Sequence, residues 1–207
     1  MRDEPRRVVR HGYDDVAESY LADRPTDGGD IVVLRDLVAR LTPDARVLDA
    51  GCGAGVPVMK LLSEAGRRVT GLDFSARQLS LARARVPGAD LVHGDLGALP
   101  FRTQQFDAVV SFYAIIHVPR RDHAAIFHEC HRVLRPGGLA LLCLGANDLP
   151  EDHDPTSWLG TPMYWSHYDA ATNLELLHRA CLDVISDHRV TDPMGHSGHL
   201  FALAVRR

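Results

Sequence analysis

Three acidic residues stand at the ends of three successive apolar runs in this chain. Asp49 closes Arg46–Ala50 (RVLDA), Asp73 closes Val69–Asp73 (VTGLD), and Asp95 follows Asp90–His93 (DLVH). Behind the first run comes Gly51-Cys52-Gly53-Ala54-Gly55, a loop whose glycines let the backbone pass close to a ligand. A carboxylate at 49 repels a pyrophosphate and pairs with an ammonium group. A carboxylate ending the second strand suits the two hydroxyls of a ribose. Asp95 is placed to accept from an exocyclic amine. One ligand carrying ammonium, ribose and aminopurine groups satisfies all three. The dinucleotide fingerprint G-x-G-x-x-G is broken, because Val56 stands where it needs glycine.

Histidine is the other chemistry-bearing residue. The chain has 12, ten of them at or after His117. His117 follows the run FDAVVSFYAII (106–116), where it either serves a reaction as positioning group or base, or simply starts a helix and bonds a backbone carbonyl. The segment from 158 to 168 holds Trp158, Tyr164, Trp165, His167 and Tyr168. Aromatics beside polar tips suit a small, partly apolar substrate, with Tyr164 and His167 facing it. The alternative is that they pack this segment onto the sheet. His196 and His199, in His-Ser-Gly-His, reach the same mouth or form a surface turn. His123, His128 and His131 read as the solvated face of a helix, and His153 among acids reads as surface charge. No spacing matches a zinc signature, and no metal is expected.

These residues need elements to hold them. Ile31, Leu34, Val38 and Leu41 mark an amphipathic helix. Strands are expected at 46–50, 69–73, 90–93, 106–112 and 139–144. Helices are expected around Met59–Ala65, from Ser75 to about Arg85, and from about Arg121 to Leu134. Pro57 suits the first turn of the first of these, and Ser75-x-x-Gln78 has capping-box spacing. Arg135-Pro136-Gly137-Gly138 has turn chemistry. Strand–helix alternation implies a parallel sheet with helices on both faces. Residues 146–168, with Pro150, Pro155 and Pro162, read as an irregular insertion. A helix near Ala170–Ala180 and two closing strands at 182–190 and 199–205 suggest an antiparallel hairpin edge.

The 207 residues, 45% hydrophobic and 24% charged, fit one folded domain and exclude disorder or a coiled coil. The organisation expected is an N-terminal helical arm (1–45), a cofactor-binding core (46–145), the insertion, and the last helix with its strands (169–207). No apolar run approaches the ~20 residues of a membrane span. The charged N-terminus lacks a secretory pattern. Four separated cysteines fit reduced thiols, so a cytoplasmic location is expected. A net charge of −4 gives no electrostatic footprint for nucleic acid.

The ordered motifs VLDAGCGAG (47–55), VTGLDFS (69–75), GDLGALPF (94–101), FDAVVSFYAIIHV (106–118) and LRPGG (134–138) resemble class I S-adenosylmethionine-dependent methyltransferases. The likeness runs from about Tyr13 to Leu144 and more loosely to the end. It implies a Rossmann-like three-layer α/β sandwich with a mostly parallel seven-stranded sheet. It implies that Asp49 and the backbone of Gly51, Cys52, Gly53 and Gly55 hold the methionine part of the cofactor. It assigns Asp73 to the ribose and Asp95 to the adenine amine, with Phe74 and Leu96 flanking the ring. Gln78, Ser111 and Phe112 complete the cofactor set. Tyr13 and Tyr20, in YDDVAESY (13–20), are similar to the helix that closes over the cofactor in that family. Cys181 departs from the pattern, since glycine often follows the last helix, where a left-handed cap is wanted.

The expected activity is methyl transfer from S-adenosylmethionine, leaving S-adenosylhomocysteine, to an oxygen or nitrogen of a small molecule. His117 and His167 are the catalytic candidates, and Tyr113, Tyr164, Trp165 and His199 the substrate contacts. Enzymes of this fold that methylate adenine or glutamine usually carry Asn/Asp-Pro-Pro-Tyr after strand four. Ser111-Phe112-Tyr113-Ala114 replaces it here, so nucleic acid is not an expected partner; nor is a membrane. A monomer or homodimer is expected. The rivals are a non-catalytic sensor that binds the same cofactor and a nicotinamide-dependent oxidoreductase, the latter opposed by Asp49 and Val56.

Overall fold

A computed structural model describes residues 4–207 apart from 24, 26, 153, 193 and 195–197. The chain begins with three helices, α1 (Glu4–Asp15), α2 (Ala17–Asp23) and α3 (Gly29–Arg40). It then alternates: β1 (Arg46–Ala50), α4 (Val58–Glu64), β2 (Arg68–Asp73), α5 (Ala76–Arg85), β3 (Asp90–His93), β4 (Phe106–Ser111), α6 (His123–Val133) and β5 (Leu134–Gly145). A small hairpin of β6 (Thr156–Trp158) and β7 (Thr161–Met163) precedes α7 (Ala170–Arg179), β8 (Leu182–Thr191) and β9 (Gly198–Arg206).

Seven strands form one sheet in the order β3-β2-β1-β4-β5-β9-β8, with β9 antiparallel to both its neighbours and the others parallel. Order reverses between β1 and β4, which opens a crevice at their carboxyl ends. Alternate side chains of the central strands face opposite layers. Val47, Val110, Leu141 and Phe201 pack with Leu37, Met59 and Leu79 from α3, α4 and α5. Leu48, Val109 and Leu142 pack with Phe127, Cys130 and Leu177 from α6 and α7. Runs buried on both faces explain why the central strands read as continuous apolar stretches.

Several local expectations change. The Arg135–Gly138 turn sits inside β5, where pairing slips from Phe106↔Leu134 to Ala108↔Leu139 and Gly137 takes φ +74°. The insertion is not irregular throughout. Leu159 (φ +50°) and Gly160 (φ +84°) form the two-residue turn of the β6–β7 hairpin, both residues left-handed as such tight turns require. That hairpin lies on α1, where Gly12 allows the approach: a methyl there would meet Met163 Cε at 2.8 Å. Pro57 stands at the N-cap of α4 and not within its first turn. Ser75 Oγ accepts from Gln78 N at 3.0 Å, yet the reciprocal half of the box is absent, since Gln78 Nε2 donates instead to the Tyr13 carbonyl at 2.9 Å.

His123 corrects the view of α6 as carrying only solvated histidines. It is fully buried, its Nε2 2.9 Å from the Val118 carbonyl, while His128 is exposed and His131 half-buried. His153 and His196 lie outside the described residues. The four cysteines are unbridged, three of them buried, and Cys181 takes the left-handed conformation after α7 at φ +59°. Among the described residues, no helix is long and apolar enough to cross a membrane, and no three His, Cys, Asp or Glu side chains gather as a metal site.

Candidate functional site

The glycine loop is pinned by its own backbone. Gly51 N and Cys52 N both donate to the Leu72 carbonyl, at 2.7 and 3.0 Å, and Gly55 N donates to Cys52 O at 2.9 Å. Gly51 sits at φ +83° against Ala114, with no room for a side chain. Asp73 ties the loop to the next strand: its Oδ2 accepts from Gly53 N at 2.8 Å and its Oδ1 from Ser75 N at 2.9 Å. Burial pushes the Asp73 carboxyl above its ordinary range, and the Ser75 and Gly53 amides pull against that rise.

Around this loop lies a cavity of about 1050 Å³, its open mouth included. Asp49, Asp73 and Asp95 all line it, as do Gly51, Cys52 and Gly53. Phe74, Leu96, Phe112 and Gln78 form further wall, and Tyr13 and Tyr20 close it from the N-terminal helices. Arg6, which the sequence did not single out, also lines the cavity and pairs with Asp95 at 3.1 Å. Val9 and Leu21 were missed too, because nothing local says which face of an N-terminal helix will meet a distant crevice.

Two cofactor candidates fall elsewhere. Ser111 is buried inside β4, and its Oγ donates to the Ala50 carbonyl at 2.8 Å, joining two strands behind the cavity. Gly55 faces α5: a Cβ there would touch Val86 and Ala82, so its small size serves helix packing.

His117 occupies a single 3-10 turn (Ile115–His117) at the cavity wall. Its Nδ1 stands 2.7 Å from the Tyr164 carbonyl, which can only accept, so Nδ1 carries the proton. Burial holds the imidazole down at about 4, so the ring is neutral and Nε2 is an acceptor. Tyr13 Oη lies 2.9 Å from that Nε2 and donates to it. His117 thus bonds a backbone carbonyl, as one sequence reading expects, but it closes a 3-10 turn and does not start a helix, and it also lines the cavity.

His167 does not reach the cavity. Its Nδ1 donates to Asn147 O at 2.7 Å, its backbone pairs with Leu149, and its ring abuts Gly145. Tyr164 offers only its carbonyl to the site, because its hydroxyl turns to Glu151 O at 3.2 Å. His199 is buried behind Tyr113, ring centroids 5.3 Å apart, with Nε2 3.2 Å from Asp192 Oδ2. Tyr113 and Trp165 do line open space: Tyr113 borders the main cavity and, with Trp165, a smaller chamber beside it. Tyr113 takes φ +53°, a strained value held by burial and by its hydroxyl's bond to Asp30 at 3.3 Å.

Comparison with known proteins adds to this geometry. Residues 47–138 match the family model described as a methyltransferase domain. A probable S-adenosylmethionine-dependent methyltransferase of Mycolicibacterium smegmatis is 44% identical over 96 residues, 46% of this chain and 36% of that protein. The malonyl-[acyl-carrier protein] O-methyltransferase of Enterobacter lignolyticus is 42% identical over 118 residues, 56% of this chain and 46% of its own. The chain thus spans half or less of the length of these curated relatives. The 1,6-didemethyltoxoflavin-N1-methyltransferase of Burkholderia thailandensis, solved with S-adenosylhomocysteine, superposes with a TM-score of 0.75 over 100% of this chain and 90% of that one, at 21% identity.

Residues 47–138 thus match a methyltransferase domain, and they sit on a Rossmann-like sheet whose glycine-and-carboxylate cavity resembles that of class I S-adenosylmethionine-dependent methyltransferases. S-adenosylmethionine fits the lining as cofactor: three carboxylates spread along one cavity suit its ammonium, ribose and adenine donors, and at Gly51 a side chain would collide with Ala114.

Proposed function

We propose that this protein transfers a methyl group from S-adenosylmethionine to an oxygen or nitrogen of a small molecule. The observation that supports it best is the convergence of Asp49, Asp73 and Asp95 on one cavity that ends at the Tyr13–His117 pair. When bound, the cofactor supplies a methyl carbon already activated by its sulfonium.

In this reading Asp49 pairs with the amino-acid ammonium, Asp73 accepts from the ribose, and Asp95 exchanges Arg6 for the adenine amine. Phe74 and Leu96 flank the ring. Tyr13 directs its hydroxyl proton to His117, which orients its oxygen toward the acceptor's O–H or N–H. A nucleophile held that way presents a free lone pair for in-line attack. His117 positions and does not store a proton, since burial disfavours its charged form. The mouth of the cavity leaves the released proton a route to water.

Calorimetry with S-adenosylhomocysteine tests the cofactor claim: micromolar binding is expected, and no binding below millimolar would end it. His117→Ala and Tyr13→Phe should each lower kcat with cofactor affinity largely kept. Unchanged turnover in both removes the pair from the mechanism.

A further inference from the structure

The Tyr13 hydroxyl meets His117 only where the end of α1 lets it. The Tyr13 ring touches Tyr20, His117 and Trp158 edge-on, with centroids 5.9, 5.3 and 5.7 Å away. Edge-to-face contacts tolerate centroid separations of about 4.5–7 Å, so they set the reach of the hydroxyl only loosely. The backbone must do the rest. A slip of about 1 Å would stretch the 2.9 Å bond to His117 Nε2 beyond hydrogen-bonding distance. Displacements of that size slow a positioned reaction on the order of 100-fold.

That backbone is held from α5. Tyr13 lies in the last turn of α1, where a helix leaves carbonyls for outside partners. Gln78 Nε2 donates to the Tyr13 carbonyl at 2.9 Å, and one residue further on Asp14 Oδ1 accepts from Ser75 Oγ. Gln78 is buried and borders the cavity. Its Oε1 lies on the side of the glycine loop, 3.7 Å from the point where a side chain on Gly53 would begin. In a capping box the glutamine three residues into the helix would instead accept from the amide of its own N-cap. Asp73 Oδ1 takes over that amide, accepting from Ser75 N at 2.9 Å, and leaves Gln78 to cross to α1. Places where a local rule gives way to a distant contact are where function is to be sought.

Resting on the methyl-transfer reading above, we propose that Gln78 is a positioning residue for the acceptor: by holding the Tyr13 carbonyl it sets the Tyr13 hydroxyl on His117. The site of transfer is thereby tied to the same helix start that carries Asp73. The amide nitrogen of Gln78 serves Tyr13, while the rest of the side chain is cavity wall.

Nitrogen NMR of the His117 ring in the ligand-free protein tests this, because the Nε2 resonance depends on whether Tyr13 donates to it. Tyr13→Phe marks the position without that bond. Gln78→Met keeps the length of the side chain and removes the donor. Its Nε2 resonance should move at least half of the way to the Tyr13→Phe position, while Nδ1 stays protonated against the Tyr164 carbonyl. Gln78→Glu adds a reversible form, since only the protonated carboxyl can donate to the Tyr13 carbonyl, and burial raises a carboxyl's pKa. Between about pH 5.5 and 8 its Nε2 resonance should leave the wild-type position as the carboxyl ionises and return on acidification. Burial keeps His117 neutral over this range, so the wild-type resonance should stay in place. A wild-type Nε2 position in folded Gln78→Met, or throughout that range in Gln78→Glu, overturns the proposal. A merely structural role would lower stability and move neither resonance. Where Gln78→Met does not fold, Gln78→Glu decides. No ligand enters these measurements: failure of S-adenosylhomocysteine to bind sinks the cofactor reading, and an unmoved His117 resonance sinks this one alone.

Discussion

Two buried histidines make the stability of this protein sensitive to mild acid. Burial lowers both His117 and His123 from 6.5 to about 4. A group whose folded pKa lies below its unfolded value takes up protons more readily when the chain opens. Unfolding is therefore favoured as pH falls through 6.5 toward 4. Between about pH 7 and pH 5 each such histidine removes about 1.8 kcal/mol from the unfolding free energy, and the pair about 3.5 kcal/mol. That is a large part of the 5–15 kcal/mol or so that holds a typical domain together. His123 Nδ1 is buried with no hydrogen-bond partner, so a proton there has nothing to bond. Urea unfolding at pH 7, 6 and 5, followed by tryptophan fluorescence, measures the effect in wild type and in His123→Gln. The variant should lose about 1.8 kcal/mol less stability than wild type over this range, whatever its absolute stability at pH 7. Asp73, raised by burial, acts in the opposite sense. The difference between the two proteins therefore isolates His123. Identical losses in both would refute the reasoning.

Asp49→Asn should weaken S-adenosylhomocysteine about 10- to 100-fold by calorimetry, the range for losing one charged hydrogen-bond partner. Gly51→Ala places a Cβ against Ala114 at a left-handed backbone, and urea unfolding should show a loss of about 1–3 kcal/mol. Cys181→Gly should instead stabilise by about 0.5–1 kcal/mol in the same assay, because the exposed Cys181 pays for φ +59° that glycine adopts freely. Arg6→Gln frees Asp95 from its ion pair, and S-adenosylhomocysteine should bind a few-fold more tightly; weaker binding would mean that Arg6 helps to hold the cofactor.

The parts of the fold carried by short-range signals were legible from residue order. β1 and β3 fall where the apolar runs fell, and the carboxylates at their ends reach one cavity because parallel strands end on one side. His123 shows a signal present but misread. It precedes Ile126 by three residues, Phe127 by four and Cys130 by seven, which puts it on the apolar stripe of α6. The β6–β7 hairpin was hidden because Leu159-Gly160 lacks the usual asparagine or aspartate at the first turn position. Ser111 and His167 were misplaced for a different reason. Sequence gives the neighbourhood of a side chain, but its direction depends on which partner wins its hydrogen bond, here Ala50 O and Asn147 O. Asp192 had no local signature. Only the return of β9 alongside β5 brings that end of the chain to the mouth.

The partition between the two chambers is built from Tyr13, Tyr20, Tyr113 and His117, and so belongs to both. A ligand that settles those side chains from one side leaves less for a ligand on the other side to organise. Linkage makes that help reciprocal: whatever factor the methyl donor adds to acceptor affinity, the acceptor returns to the donor. Neither dissociation constant is then a fixed property of its own site. Within the proposed reaction, a spent donor would be held less tightly once the methylated product has left, because one of the two ligands that settle the shared side chains is then gone.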